Sequence, residues 1–149
     1  MPILEVKDLK VGYVDVQQQT NLAVDGVGFT LEKGETLGIV GESGCGKSTI
    51  ARALMGYLRP GGAFLGGSIE LAGKFVFDLS PSALQKLRGE IVAIVPQNPL
   101  SSLTYHITVG AHLREILQFH RGLSAAHAKT ETLSLFEETG LPEPETIYK

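Results

Sequence analysis

The chain has 149 residues, enough for one domain with a sizeable core, and its 43% hydrophobic and 19% charged content is that of a folded globular protein. A net charge of −3 argues against a nucleic-acid face, and the longest aliphatic run, Ile91-Val92-Ala93-Ile94-Val95, is far too short to span a bilayer. A single cysteine, Cys45, excludes an internal disulfide and fits a reducing cytoplasm, and Met1-Pro2-Ile3-Leu4-Glu5 has no signal-peptide character.

Leu4 to Leu9 alternates apolar and charged residues, less cleanly at Leu9, which predicts an edge or half-exposed strand. Val24 to Leu31 continues in the same style, and Glu32-Lys33-Gly34-Glu35 predicts a tight turn. Glu35-Thr36-Leu37-Gly38-Ile39-Val40 is a short, β-branched run of buried-strand type. It leads directly into Gly41-Glu42-Ser43-Gly44-Cys45-Gly46-Lys47-Ser48 and Thr49, a complete Gly-x-x-x-x-Gly-Lys-Ser phosphate loop. Ile50, Ala51, Leu54, Met55 and Leu58 then recur at helical spacing. Pro60 to Gly67 reads as a Gly-rich connector and Ser68 to Ala72 as another strand. Ser80-Pro81 is a helix start, with serine as the N-cap, and Gly89 a helix stop. Ile91 to Val95 predicts a second buried strand, closed by Pro96. Val109 to Arg121 and Ser124 to Thr139 predict helices ending near Gly122 and Gly140.

Strand, loop and helix in that order are the context the phosphate motif needs, and they disfavour a mere Gly-rich surface turn. Gly41, Gly44 and Gly46 let the backbone curl so that successive N–H groups face inward on an anion. The helix starting near Lys47 adds unpaired N–H groups and its positive dipole end. Lys47 supplies a point charge for terminal phosphates, the Ser48 hydroxyl is suited to Mg2+, and Ser43, Cys45 and Thr49 complete the candidate phosphate-binding set. Nucleotide binding is the expectation. Cys45 itself reads as small-residue packing, although a thiol at a helix N-terminus is open to activation.

Val24-Asp25-Gly26-Val27-Gly28-Phe29-Thr30-Leu31, Lys33-Gly34-Glu35-Thr36, the phosphate loop and Val95-Pro96-Gln97-Asn98-Pro99 together resemble the ATP-binding subunit of an ABC transporter, from about Leu4 to Lys149. The resemblance implies an α/β fold, a P-loop NTPase core with an N-terminal antiparallel β-subdomain over residues 1–96, followed over 97–149 by the Q-loop and the start of a helical subdomain. It implies ATP and Mg2+ as cofactors. Tyr13 matches the aromatic that stacks on adenine; the plainer alternative is a half-buried strand tyrosine. Gln97 matches the glutamine that contacts Mg2+ and the attacking water, and with Lys47 makes up the implied catalytic pair. The partners implied are a second ATP-binding subunit, as homo- or heterodimer, and transmembrane permease subunits met by the region around Gln97 to Val109. Neither a nucleic acid nor a direct membrane span is expected, and the location implied is cytoplasmic, peripheral on the inner face of the cell membrane. Within the family, Gln97-Asn98-Pro99-Leu100-Ser101-Ser102-Leu103 is similar to the peptide/nickel importer branch, departing from it at Asn98 and at Thr104-Tyr105.

Three of the family's hydrolytic parts are missing from these residues: the Leu-Ser-Gly-Gly-Gln signature, the Walker B strand ending Asp-Glu, and the switch histidine. Leu123-Ser124-Ala125-Ala126-His127 imitates the signature without its glycines, and Ser124 is more simply an N-cap. Leu133 to Glu138 imitates Walker B inside a helical pattern, and His112 and His120 lie on one helix without flanking ligands. The reading is an N-terminal part of a transport ATPase that binds Mg-ATP weakly, does not turn it over by itself and tends to self-associate through uncovered strands. Two alternatives stand beside it: a soluble non-transport ABC-type ATPase of DNA maintenance or translation, and a non-catalytic nucleotide-binding fragment.

Overall fold

The structure, a computed structural model, describes residues 2–99 and 103–149. Leu100, Ser101 and Ser102 of the importer-like stretch lie outside the described residues. The chain divides into two compact units, one reaching Ala93 and one running from Ile94 to Lys149.

In the first unit β1 (Leu4–Val14) is flanked by β2 (Thr20–Leu31) and β3 (Gly62–Leu71), and the short β4 (Lys74–Phe75) closes an antiparallel sheet of order β2-β1-β3-β4. Leu4, Val6, Leu9 and Val11 are all buried, although Val6 and Leu9 are out of phase for simple alternation. A bulge resolves this. The register slips between Val6 and Leu9 against β2 and between Lys7 and Lys10 against β3, with Asp8 at φ 44. The extra residue returns the next apolar pair to the same face and carries the strand on to Val14.

Gly67 (φ 85) lies opposite that bulge, where a Cβ would overlap the carbonyl oxygens of Lys7 and Asp8. The Gly-rich connector expected over residues 60–67 is therefore largely strand: its glycines admit a neighbouring backbone instead of making a loop. At the other end of β1, Asp15 orders the turn into β2. It accepts from the backbone N–H groups of Gln17 and Gln19 and from Asn21 Nδ2. The bond from Gln19 is the chief cause holding its carboxyl below the usual range.

Helix α1 (Lys47–Leu54) buries Ile50 and Ala53 in the core formed with Val11, Val24, Ile69, Val76 and Leu87. A 3-10 turn over Val76–Asp78 leads to α2 (Pro81–Glu90), whose N-cap Ser80 accepts from Ala83 N at 3.3 Å. Helical geometry ends before Arg88 (ψ 123) and Gly89 (φ 91), as the glycine stop predicted.

Two predicted strands are not formed. Residues 35–40 have no ladder partner among the described residues, and in Ile91 to Val95 only Val92 bridges, to Arg88. A strand exists by pairing, and among the described residues neither run finds a ladder partner beyond the Arg88–Val92 bridge, so Val40 and Val95 stand 92% and 88% exposed. The α/β class holds, with the antiparallel sheet and helices in place.

The second unit holds α3 (Val109–Arg121), α4 (Ala125–Glu138) and α5 (Pro144–Tyr148). Thr108 caps α3 by accepting from Ala111 N at 3.2 Å, and Ser124 caps α4 by accepting from His127 N at 3.3 Å. Leu117, Ala128, Thr132 and Phe136 form the buried seam, and Arg121 pairs with Glu131 at 2.9 Å. Among the described residues no helix is long and apolar enough to cross a membrane.

Candidate functional site

The phosphate-loop motif lies between the unpaired run at 35–40 and α1. Gly46 is the N-cap of α1 in a left-handed conformation (φ 95), and it is pressed against β2: a Cβ there would overlap the Ala23 carbonyl oxygen and lie 3.4 Å from Val24 Cγ2. The loop is thus seated on the same β-sheet whose core receives Ile50 and Ala53.

Helices α2, α3 and α4 each have a hydroxyl accepting a bond from their first turn, whereas no side chain caps α1. The first-turn N–H groups of α1 are left for an acceptor from outside the helix, and the positive end of the helix dipole favours an anionic one. Lys47 folds back across the loop. Its Nζ donates to Gly41 O and Glu42 O, both at 2.7 Å, and to Cys45 Sγ, a weak acceptor, at 3.5 Å. An ammonium has three donors, so two staple the loop and the third is weakly used. Cys45 is exposed and lies over Gly41, where a Cβ would come 2.7 Å from Sγ.

Gly41, Ser43, Gly44 and Ser48 are exposed along the loop, while Thr49 is buried on the core side of α1. Polyphosphate fits this arrangement: uncapped amides, a positive charge held inward and little bulk. Among the described residues no three or more His, Cys, Asp or Glu side chains are grouped to hold a metal ion.

Tyr13 is near the end of β1, opposite Asn21 of β2 and Gly62 of β3, half buried and packed against the core that includes Val11 and Val24. It shares a sheet face with Val11, the face on which α1 packs. Gln97 is exposed and belongs to the second unit. Between Gln97 and Val109, Tyr105 is 90% exposed, and Leu103 and Ile107 also reach solvent. Ser124 is the N-cap of α4, and Leu133 to Glu138 lie within that helix with Phe136 buried.

One contact has no counterpart in the motif. Arg88 reaches from the end of α2 to the far end of α1, its Nε donating to Met55 O at 2.8 Å and its Nη2 to Gly56 O at 3.0 Å. The only local signal there is the Gly89 helix stop that frees the Arg88 backbone from helical geometry.

A family model described as ABC transporter matches residues 24–147. The oligopeptide transport ATP-binding protein OppD of Salmonella typhimurium (strain LT2) is 41% identical over 141 residues, 95% of this chain and 42% of that protein. OppD of Bacillus subtilis (strain 168) is 40% identical, over 96% of this chain and 40% of its own length. A putative peptide import ATP-binding protein of Brucella melitensis biotype 1 is 39% identical, over 95% and 42%. This chain thus spans about two fifths of the length of the curated relatives it matches. Among solved structures, the dimeric ATP-binding cassette MJ0796, in a post-hydrolysis state bound to ADP and Pi, has the same fold. It superposes with a TM-score of 0.70 at 22% identity, over 90% of this chain and 57% of the other.

Proposed function

The chain belongs to the ABC transporter family, and from that premise we propose that it supplies the phosphate-loop portion of the ATP-binding subunit of a peptide importer. The observation that carries the reading is the stapled, uncapped loop: Lys47 bridging Gly41 O and Glu42 O beneath a helix whose first turn no side chain caps. The oligopeptide and peptide-import names of its relatives support peptide as the transported class.

When bound, ATP with Mg2+ brings the phosphoryl group whose transfer to water drives the cycle. The amides of Gly44, Gly46, Lys47 and Ser48 would hold the phosphate oxygens, the Lys47 ammonium, whose third donor meets only the weakly accepting Cys45 Sγ, would offer its charge to a terminal phosphate, and the Ser48 hydroxyl would be a ligand for Mg2+. Tyr13 would offer its ring to the base, and Gln97 would be the side chain to orient a water for the metal-bound phosphate. The region around Gln97 to Val109, in which Leu103, Tyr105 and Ile107 reach solvent, is the surface we assign to a permease, and a second ATP-binding subunit completes the nucleotide clamp. The location that follows is peripheral, on the cytoplasmic face of the membrane. The boundary between the catalytic core and the helical subdomain is assigned at residues 96 and 97. The 149 residues contain neither a Leu-Ser-Gly-Gly-Gln segment nor an apolar strand ending Asp-Glu, so they lack groups to hold the metal through water and to polarise the nucleophile. Binding without turnover is the expected behaviour of this chain.

Calorimetric titration of the purified chain with Mg-ATP, paired with a phosphate-release assay, tests this. Binding that Lys47→Ala abolishes, with no steady phosphate release, is expected. Tyr13→Ala should weaken ATP, ADP and GTP alike by about tenfold, since stacking contributes ~1–3 kcal/mol and hardly distinguishes bases. Lys47-dependent turnover would overturn the non-catalytic reading, and full affinity in Tyr13→Ala would remove Tyr13 from the site.

A further inference from the structure

The phosphate-receiving end of α1 is only half of what sets its geometry. The helix has eight residues, about 12 Å of length, and behaves as a short rigid rod. Its N-terminal end is seated on β2 through Gly46. Just past its C-terminal end it is gripped by α2 and by the 3-10 turn before α2. Leu84 and Val76 lie against Gly56, so closely that a Cβ there would come within 2.7 Å of Leu84 Cδ1 and 3.0 Å of Val76 Cγ1. One turn beyond Leu84, Arg88 places the Nε–Nη2 edge of its guanidinium on the carbonyl oxygens of Met55 and Gly56. These carbonyls lie just past the end of α1, where the backbone turns by Gly56 N donating to Ala53 O and Tyr57 N to Arg52 O.

We infer that Arg88 is a positioning residue for nucleotide binding, holding the far end of α1 so that the near end keeps its amides and Lys47 in phosphate-receiving register. The inference rests on the nucleotide-binding reading of the loop. Three features support it. The two bonds are made by one planar group to successive carbonyls, which fixes orientation as well as distance. The cation sits at the negative end of the helix dipole, opposite the end offered to the anion. Arg88 also stands where α2 gives way to the run leading to Gln97: Gly89 N donates to Val92 O at 2.8 Å and Arg88 bridges Val92. The same residue therefore ties Val92 to the phosphate-loop helix.

The test is calorimetric titration with Mg-ATP of the 149-residue chain and of Arg88→Gln, Arg88→Lys and Lys47→Ala, together with thermal unfolding without nucleotide. Arg88→Gln should raise Kd about tenfold, the scale on which displacing a binding group acts. Arg88→Lys keeps the charge but not the fork, and should raise Kd at least about threefold. A purely structural role would lower the melting temperature and the fraction of competent chains while leaving their Kd unchanged. Wild-type Kd in both variants therefore overturns the inference. Should Arg88→Gln fail to fold, Arg88→Lys decides alone: a raised Kd upholds the inference and an unchanged one overturns it. Absence of Mg-ATP binding by the wild-type chain, or full binding by Lys47→Ala, would be a failure of the nucleotide reading itself, and would take the Arg88 assignment with it.

Discussion

Gly46 answers two separate demands, a left-handed φ of 95 and room for the Ala23 carbonyl where a Cβ would be. Gly46→Ala meets both penalties together, and the first unit should lose about 1–3 kcal/mol of stability, read by urea unfolding. Mg-ATP affinity should fall with it; a variant as stable as the wild type would mean the loop is not braced on β2. The first demand was legible in the sequence, because the motif specifies glycine at that position. The second was not, since Ala23 lies far from Gly46 along the chain and only folding brings them together. Arg88 shows the same division. Its neighbour Gly89 marks a helix stop locally, but its partners Met55 and Gly56 lie more than thirty residues away. Thr49, grouped with the phosphate-binding residues by its place after Ser48, proves to be on the buried side of α1.

At the level of elements, helix ends were the most legible feature because capping is local chemistry. Ser80 and Ser124 both read as N-caps in the sequence, and both accept the expected backbone bond. Ser124→Ala should therefore cost about 0.5–2 kcal/mol, lowering the melting temperature without touching Mg-ATP affinity. A loss of nucleotide affinity in that variant would reopen Ser124 as a functional residue. Strands were less legible. The irregular spacing between Val6 and Leu9 shortened the apparent first strand, whereas a bulge at Asp8 keeps both residues buried and extends it to Val14. Glycines at 62, 66 and 67 suggested a loop, but they lie in β3 beside β1. Pattern alone does not separate a glycine that turns the chain from one that admits a neighbour.

For the whole molecule, the decisive feature is apolar surface without a partner. Leu37, Ile39 and Val40 precede the phosphate loop and Ile94 and Val95 precede Gln97, all exposed. Unpaired backbone and contiguous apolar side chains favour association of the isolated chain. Light scattering at rising concentration should show growing mass; a monomer across the range would show these runs to be tolerated in water. The sequence by itself determined the phosphate-loop motif, the boundaries of α3 and α4 and the family resemblance that implies the α/β class, because motif spacing, caps and periodicity are short-range patterns, whereas α5 had no such signal. Only the tertiary structure decided that 35–40 and 91–95 do not become strands in this chain, that the loop is braced on β2, and that Arg88 holds the far end of α1. Those outcomes depend on which distant backbone is present to pair, to clash or to accept a hydrogen bond, and no local pattern encodes the presence of a neighbour.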